Sequence, residues 1–378
     1  MPRLSKGTLW AASAVLCSIL AASILWPRGV LSATSDDDGY LFNDSHVHLT
    51  NYIQEGPDIR DYVATIGTKI GRSVLFGIPL QQTWAYGNSG DYAPTYYLQS
   101  DAPLYYYSFT DAFIAKAYLS LPPEDRQRLD PMITGFDPAD MYGVDHIRRV
   151  LETFPRVFTG IGEFTIHKEF VSSKVAGNTA SLTDPALDRI LDFAGEAGLL
   201  VLMHSDIDVP FAQPNMEPVY LRQTKELLLR HPGTTIIWAH MGLGRVVRPA
   251  GAQATIGAPE RNRGHVEMLT ELLADPAFSH LYFDISWDEL AKYAVASSEI
   301  EEKTAALFNR FPDRFLFGTD VVAATDESSA MRVFQLWEPI FARLTPEASL
   351  AIRKSNYERL FDAARVRVRE WEKEHVKS

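Results

Sequence analysis

From residue 41 onward the chain alternates eight short apolar runs with amphipathic helical stretches, and this alternation restricts it to folds built on a parallel sheet. The runs are Leu41–Leu49, Ser73–Leu80, Pro131–Asp137, Val157–Phe164, Leu199–His204, Thr234–His240, Leu281–Ser286 and Arg314–Asp320. Helix ends are marked between them. Asp184-Pro185 supplies a cap and a first residue before ALDRILDFAGEAG, and a helix from Glu217 to Arg230 stops at His231-Pro232. Eight such units in the remaining length suit a (β/α)8 barrel better than a doubly wound sheet. With 46% hydrophobic residues the chain has material for a large core.

The segment ahead of the first run is of another kind. Leu9 to Trp26 is uncharged and mostly apolar and follows Arg3 and Lys6, the layout of an export signal or a single membrane anchor. Leu31 stands where a cleavage site before Ala33 prefers a small residue, which favours an uncleaved anchor, while Val30 and Ser32 offer a better alternative site. Ala14, Val15 and Leu16 are a poor lipid-attachment context for Cys17, so that cysteine reads as apolar filler. The expected organisation is therefore a signal peptide or anchor over 1–31, a polar linker over 32–40, the barrel over 41–365 and a charged surface helix or tail over 366–378. An exported location follows, periplasmic or otherwise extracytoplasmic, with membrane contact through the N-terminal segment if it is retained.

Composition removes several function classes. The 36 basic residues face 48 acidic ones, a net charge of −12, so a surface that neutralises nucleic-acid phosphates is not expected. Cys17 is the only cysteine and lies in the leader, which leaves the folded part without an intrachain disulfide or a thiolate metal site. Any ligand or nucleophile there must be an oxygen or nitrogen group.

Those groups fall at strand ends. Phe42, Asp44, His46 and His48 alternate along the first run, and a period of two places them on one face. One His-x-His arises by chance in roughly one chain in four of this histidine content and means little alone. Glu163, however, ends the fourth run, His204 the fifth, His240 the sixth and Asp320 the eighth. The C-terminal ends of barrel strands are where catalytic groups converge. Imidazoles and carboxylates suit one or two divalent ions, zinc first, with manganese or iron as alternatives. His46 and His48 with Asp320 would hold one ion, His204 and His240 a second, and Glu163 would bridge both. Asp320 is also placed to act as general base. With a single ion, His240 is freed to polarise a carbonyl or move a proton.

The motifs DSHVH, GIGEF, VLMHSD, WAHMG, LYFDISW and LFGTD, in this order, resemble the amidohydrolase superfamily, specifically its amidohydrolase-related branch, and NYERLFDAA resembles the end of that domain. The resemblance implies a metal-dependent TIM barrel over roughly Leu41 to Arg365. It implies metal or catalytic roles for His46, His48, His204, His240 and Asp320, with Glu163 at the bridging position. It also implies either a hydrolase, cleaving an amide, ester or lactone of a small molecule by attack of metal-bound hydroxide, or a non-oxidative decarboxylase. Glu163 favours the two-metal hydrolase. A non-catalytic envelope binding protein is a third reading, disfavoured by the complete ligand set.

Two residues outside this set are candidates for substrate contact. Arg245, in MGLGR, could pair with a substrate carboxylate or form a surface ion pair. Trp287 could line a pocket or pack ordinarily, and Asp284 beside it reads equally well as packing. The aromatic-rich stretch from Gln81 to Leu129, following the second run, is a candidate substrate lid.

Overall fold

A computed structural model describes residues 39–51, 55–78, 107–168, 171–172, 180–209, 217–244 and 264–376. The leader and most of the aromatic stretch lie outside the described residues. Among the described residues no helix is long and apolar enough to cross a membrane.

Eight parallel strands form the barrel: β1 (Phe42–Asp44), β2 (Ile70–Leu75), β3 (Leu129–Ile133), β4 (Gly160–Lys168), β5 (Leu200–Ser205), β6 (Ile236–Trp238), β7 (Leu281–Asp284) and β8 (Phe315–Leu316). Each pairs with its neighbour in chain order. The ring closes just beyond the ends of β8 and β1. There Val321–Val322 pairs in parallel with Val47–His48, and the Ser45 N–H donates to the Phe317 carbonyl at 3.0 Å. Observed strands lie within a few residues of the expected runs.

Helices cover the outside. Pro185–Ala197 starts as its sequence dictates: the Asp184 side chain accepts from the Ala186 N–H at 2.9 Å, Pro185 occupies the first turn, and Gly198 ends the helix in the left-handed region. Val219–Arg230 likewise ends at His231. The residues joining β2 to β3 include a helix, Thr110–Leu119.

Side-chain parity separates two apolar layers. Val201 and Met203 of β5 face the helices, whereas Leu200 and Leu202 face the interior with Val74, Met132, Ile237 and Leu316. The last helix, Asn356–His375, sets Tyr357, Leu360 and Phe361 against this interior group. That helix continues unbroken through the charged residues after Arg365. It buries Val368 and Trp371, the latter edge-on to Phe193 at 5.4 Å between ring centroids.

The first strand corrects one expectation. Phe42 does not share a face with His46 and His48: it stacks on Phe334 of the helix Ser328–Phe341 at 5.0 Å. The first strand is interrupted at Ser45–His46, between β1 and the Val47–His48 pairing, and beyond the break Val47 and Leu49 take the outward positions. An irregularity of this kind reverses parity, so period two does not carry across it.

Candidate metal centre

The folded chain gathers His46, His48, Glu163, His204, His240 and Asp320 at the C-terminal end of the barrel. His204 arrives by plain alternation along β5. Glu163 does not. The β4–β5 register passes from Ile161 opposite Val201 to Phe164 opposite Met203, three residues against two, so a bulge lies at Gly162-Glu163. Ile161, Phe164 and Ile166 therefore all face the helices, and Glu163 turns inward. Gly162 has φ +128°, and a Cβ there would stand 2.3 Å from the Leu202 carbonyl oxygen, so only glycine fits.

His240 is brought in by a turn. Ile237 and Ala239 face inward, so a continued strand would point His240 outward. Instead His240 and Met241 both have φ of 54°. Asp320, at φ 56°, adopts the same region where the chain leaves β8. Such backbone conformations persist only where the surroundings fix them. Here the His240 N–H donates to Asp284 Oδ1 at 2.7 Å, and the Asp320 N–H donates to the His46 carbonyl at 2.8 Å.

Glu163 spans the cluster with its two oxygens. Its Oε2 lies 3.6 Å from His46 Nε2 and 3.4 Å from His48 Nε2. Its Oε1 lies 2.8 Å from His204 Nδ1 and 3.6 Å from His240 Nε2. Asp320 Oδ1 is 3.4 Å from His46 Nε2 and 3.3 Å from His48 Nε2, with Oδ2 at 4.0 Å from His240 Nε2.

Three of the four imidazoles are held by a hydrogen bond at the remaining nitrogen. His46 Nδ1 lies 2.8 Å from Asp284 Oδ2, His48 Nδ1 2.9 Å from the Gly77 carbonyl, and His240 Nδ1 2.8 Å from Ser286 Oγ. His204 Nε2 faces Asp206 Oδ1 at 3.4 Å. Partners of this kind fix ring orientation and raise basicity at the other nitrogen.

This donor set fits a divalent cation. His46 Nε2 is buried and has no hydrogen-bond partner among the described residues. Two ligands about 2.1 Å from one ion at tetrahedral angles stand about 3.4 Å apart, close to most of the separations above. His46, His48 and Glu163 offer one group of convergent ligand atoms, His46, His240 and Asp320 a second, and Glu163, His204 and His240 a third. Charge points the same way. Burial opposes an imidazolium at His46, yet Asp284, Glu163 and Asp320 outweigh it and hold its pKa well above the usual value. Burial would also raise the Glu163 carboxyl, but His46 and hydrogen bonds from His204 and His240 keep it well below the ordinary range. Asp320 is lowered too, with His46 the main opponent of burial. The field that retains a proton on His46 is one that a cation would replace it in.

Trp287, with φ of 80°, lies with its ring 5.2 Å from that of His240. Arg245 lies outside the described residues. Asp284 proves to be more than packing, since it grips both His46 and the His240 backbone. It and Ser286 sit at the end of the seventh run, the same strand-end position that flags the other candidates.

The amidohydrolase family profile matches residues 44–363. No curated protein matches the chain significantly. Among solved structures, a candidate 2-pyrone-4,6-dicarboxylic acid hydrolase from Pseudomonas putida is 16% identical, with 86% of this chain and 98% of that chain covered and a TM-score of 0.48. Dihydroorotase from Campylobacter jejuni is 14% identical, covering 85% and 84%, with a TM-score of 0.48. A 2,6-dihydroxybenzoate decarboxylase is 13% identical, covering 85% and 99%, with a TM-score of 0.45. Likenesses this distant carry no information on substrate.

Proposed function

The chain belongs to the amidohydrolase family, and on that premise we propose that it is a metal-dependent hydrolase acting on an amide, ester or lactone bond of a small molecule. One observation supports this reading above the others: Glu163 presents one oxygen to His46 and His48 and the other to His204 and His240, the arrangement a two-ion centre requires. Zinc suits these donors, with manganese and iron as alternatives.

A bound divalent ion would supply an acidified water and polarisation of the scissile carbonyl. The rest is the work of side chains. Asp320 is the wettest member of the cluster, its side chain 16% exposed where His46 and Glu163 are at 0% and 2%, so water and substrate reach the site beside it. Its lowered pKa keeps it a carboxylate at neutral pH. It takes the proton of the attacking water as the new C–O bond forms, and returns it to the leaving amine or alkoxide as the scissile bond breaks. His240 stands next to it, with burial lowering its pKa and Nδ1 engaged by Ser286, so its Nε2 is free of a proton and would hold the second ion. Trp287 walls the approach beside His240.

An exported location, at the membrane if the leader is retained, is part of the proposal and rests on Leu9–Trp26. Fractionation of cells expressing the full chain tests it.

The deciding experiment is elemental analysis of the full-length chain purified in mild detergent, with His46→Ala as control, followed by a screen of amides, esters and lactones. Two equivalents of metal, reduced in Glu163→Gln together with hydrolysis, are expected. Absence of stoichiometric metal overturns the reading. One equivalent that survives Glu163→Gln, with release of CO2 from a carboxylic acid, overturns it in favour of a decarboxylase.

A further inference from the structure

At the end of the barrel opposite the imidazole cluster, residues flanking the starts of β3 and β4 and the last helix line an open cleft of about 510 Å3. Four arginines line it, Arg126, Arg156, Arg365 and Arg369, and among the described residues no carboxylate does. On a chain of net charge −12 this concentration of positive charge runs against the overall field.

Two of the guanidinium groups are fixed from behind. Arg365 donates from Nε to Asp130 Oδ1 at 2.7 Å and from Nη2 to the Leu129 carbonyl at 3.0 Å. Arg369 donates from Nη1 to Glu372 Oε1 at 2.6 Å and from Nη2 to the Phe158 carbonyl at 2.9 Å. Neither carboxylate is dedicated to its arginine. Asp130 also receives Arg72 and the Tyr357 hydroxyl, and both oxygens of Glu372 receive the Arg156 backbone N–H. Arg126 and Arg156 form no ion pair among the described residues, and Arg126 Nε is buried without a hydrogen-bond partner.

We propose that this cleft is a second ligand site, separate from the metal cluster, for the phosphate monoester group of a small organic molecule. Guanidinium forks held in place match the several terminal oxygens and double charge of such a group better than a single carboxylate. The volume is in the range of small-molecule sites and exceeds what a bare phosphate fills. Tyr118 and Leu119 offer apolar wall for the organic part. The same group occurs on a soluble metabolite and on a lipid headgroup, and the test separates the two.

The full-length chain in mild nonionic detergent is titrated calorimetrically with phenyl phosphate, with phthalate as a dicarboxylate control, and mixed with vesicles containing phosphatidic acid or phosphatidylcholine alone. Expected are saturable one-site binding of phenyl phosphate that weakens with salt, and binding at least tenfold weaker for phthalate. Affinity for phenyl phosphate should fall at least tenfold in the Arg126→Gln/Arg156→Gln double variant and stay unchanged in His46→Ala. Capture by phosphatidic acid vesicles through the same two arginines would identify a lipid source, and its absence a soluble one. Should the double variant fail to fold, Arg156→Gln alone, at an exposed position, carries the comparison. Lack of saturation by phenyl phosphate, binding indifferent to the arginines, binding lost in His46→Ala, or equal affinity for phthalate would each overturn the proposal.

Discussion

The Asp284 carboxylate lies 2.8 Å from His46 Nδ1, and its second oxygen accepts the His240 backbone N–H at 2.7 Å. One buried side chain thus fixes the ring of a histidine just past β1 and the turn just past β6 that carries another. His46 in return is the main influence holding the Asp284 carboxyl low against burial. Asp284→Asn keeps the volume and removes the charge. Metal affinity is expected to drop about 10- to 100-fold, measured by competition with a chelator, while the far-ultraviolet circular dichroism stays unchanged.

Gly162→Ala tests the bulge. The added Cβ meets the Leu202 carbonyl oxygen at 2.3 Å, and φ +128° is unfavourable for alanine. The strand must shift at the residue that aims Glu163. The variant is expected to lose stability by about 2–4 kcal/mol in urea and to bind less metal per chain than the native protein. Native metal content in a folded variant would show that Glu163 is not aimed by this bulge.

Chelation should lower stability as well as activity. The cluster places Glu163 and Asp320 in a buried setting that a cation compensates. A ligand at 100 times its dissociation constant contributes about 2.7 kcal/mol. Dialysis against a chelator is therefore expected to lower the melting temperature by several degrees, with recovery on adding back the ion. Calorimetry reads both steps.

His265 supplies a pH dependence outside the metal cluster. It is buried with Nε2 3.0 Å from the Met241 carbonyl, and burial pushes its pKa down to about 4. The unfolded chain then binds one more proton than the folded one between about pH 6.5 and pH 4, so this group's contribution to stability is full above that window and falls as pH drops through it. His265→Phe is expected to lessen the slope of unfolding free energy against pH there by about 1.4 kcal/mol per pH unit. Urea melts of metal-free native and variant protein at several pH values check it.

The C-terminal part of the last helix is anchored by Trp371, which is buried with its ring edge-on to Phe193 at 5.4 Å and its Nε1–H donating to Glu196 at 3.3 Å. Trp371→Ala is expected to destabilise the protein by about 3–5 kcal/mol, measured by chemical denaturation.

By itself the sequence determined the eight strand units, the caps around Pro185–Ala197, and the placement of histidines and carboxylates at strand ends. These follow from local chemistry: apolar periodicity, a capping aspartate, a proline in the first turn and a glycine at the end. Tertiary structure decided which way the decisive side chains point. A break in the first strand at Ser45–His46 leaves Phe42 against the helices while His46 and His48 face inward, a bulge at Gly162-Glu163 reverses parity for Glu163, and a left-handed turn redirects His240. Each depends on pairing with a neighbouring strand or on a carboxylate far along the chain, Asp284 for His240, and a period of two says nothing of either. For the same reason Asp284 resembled packing until the fold set it against His46. Two residues 238 positions apart become partners only when the barrel closes.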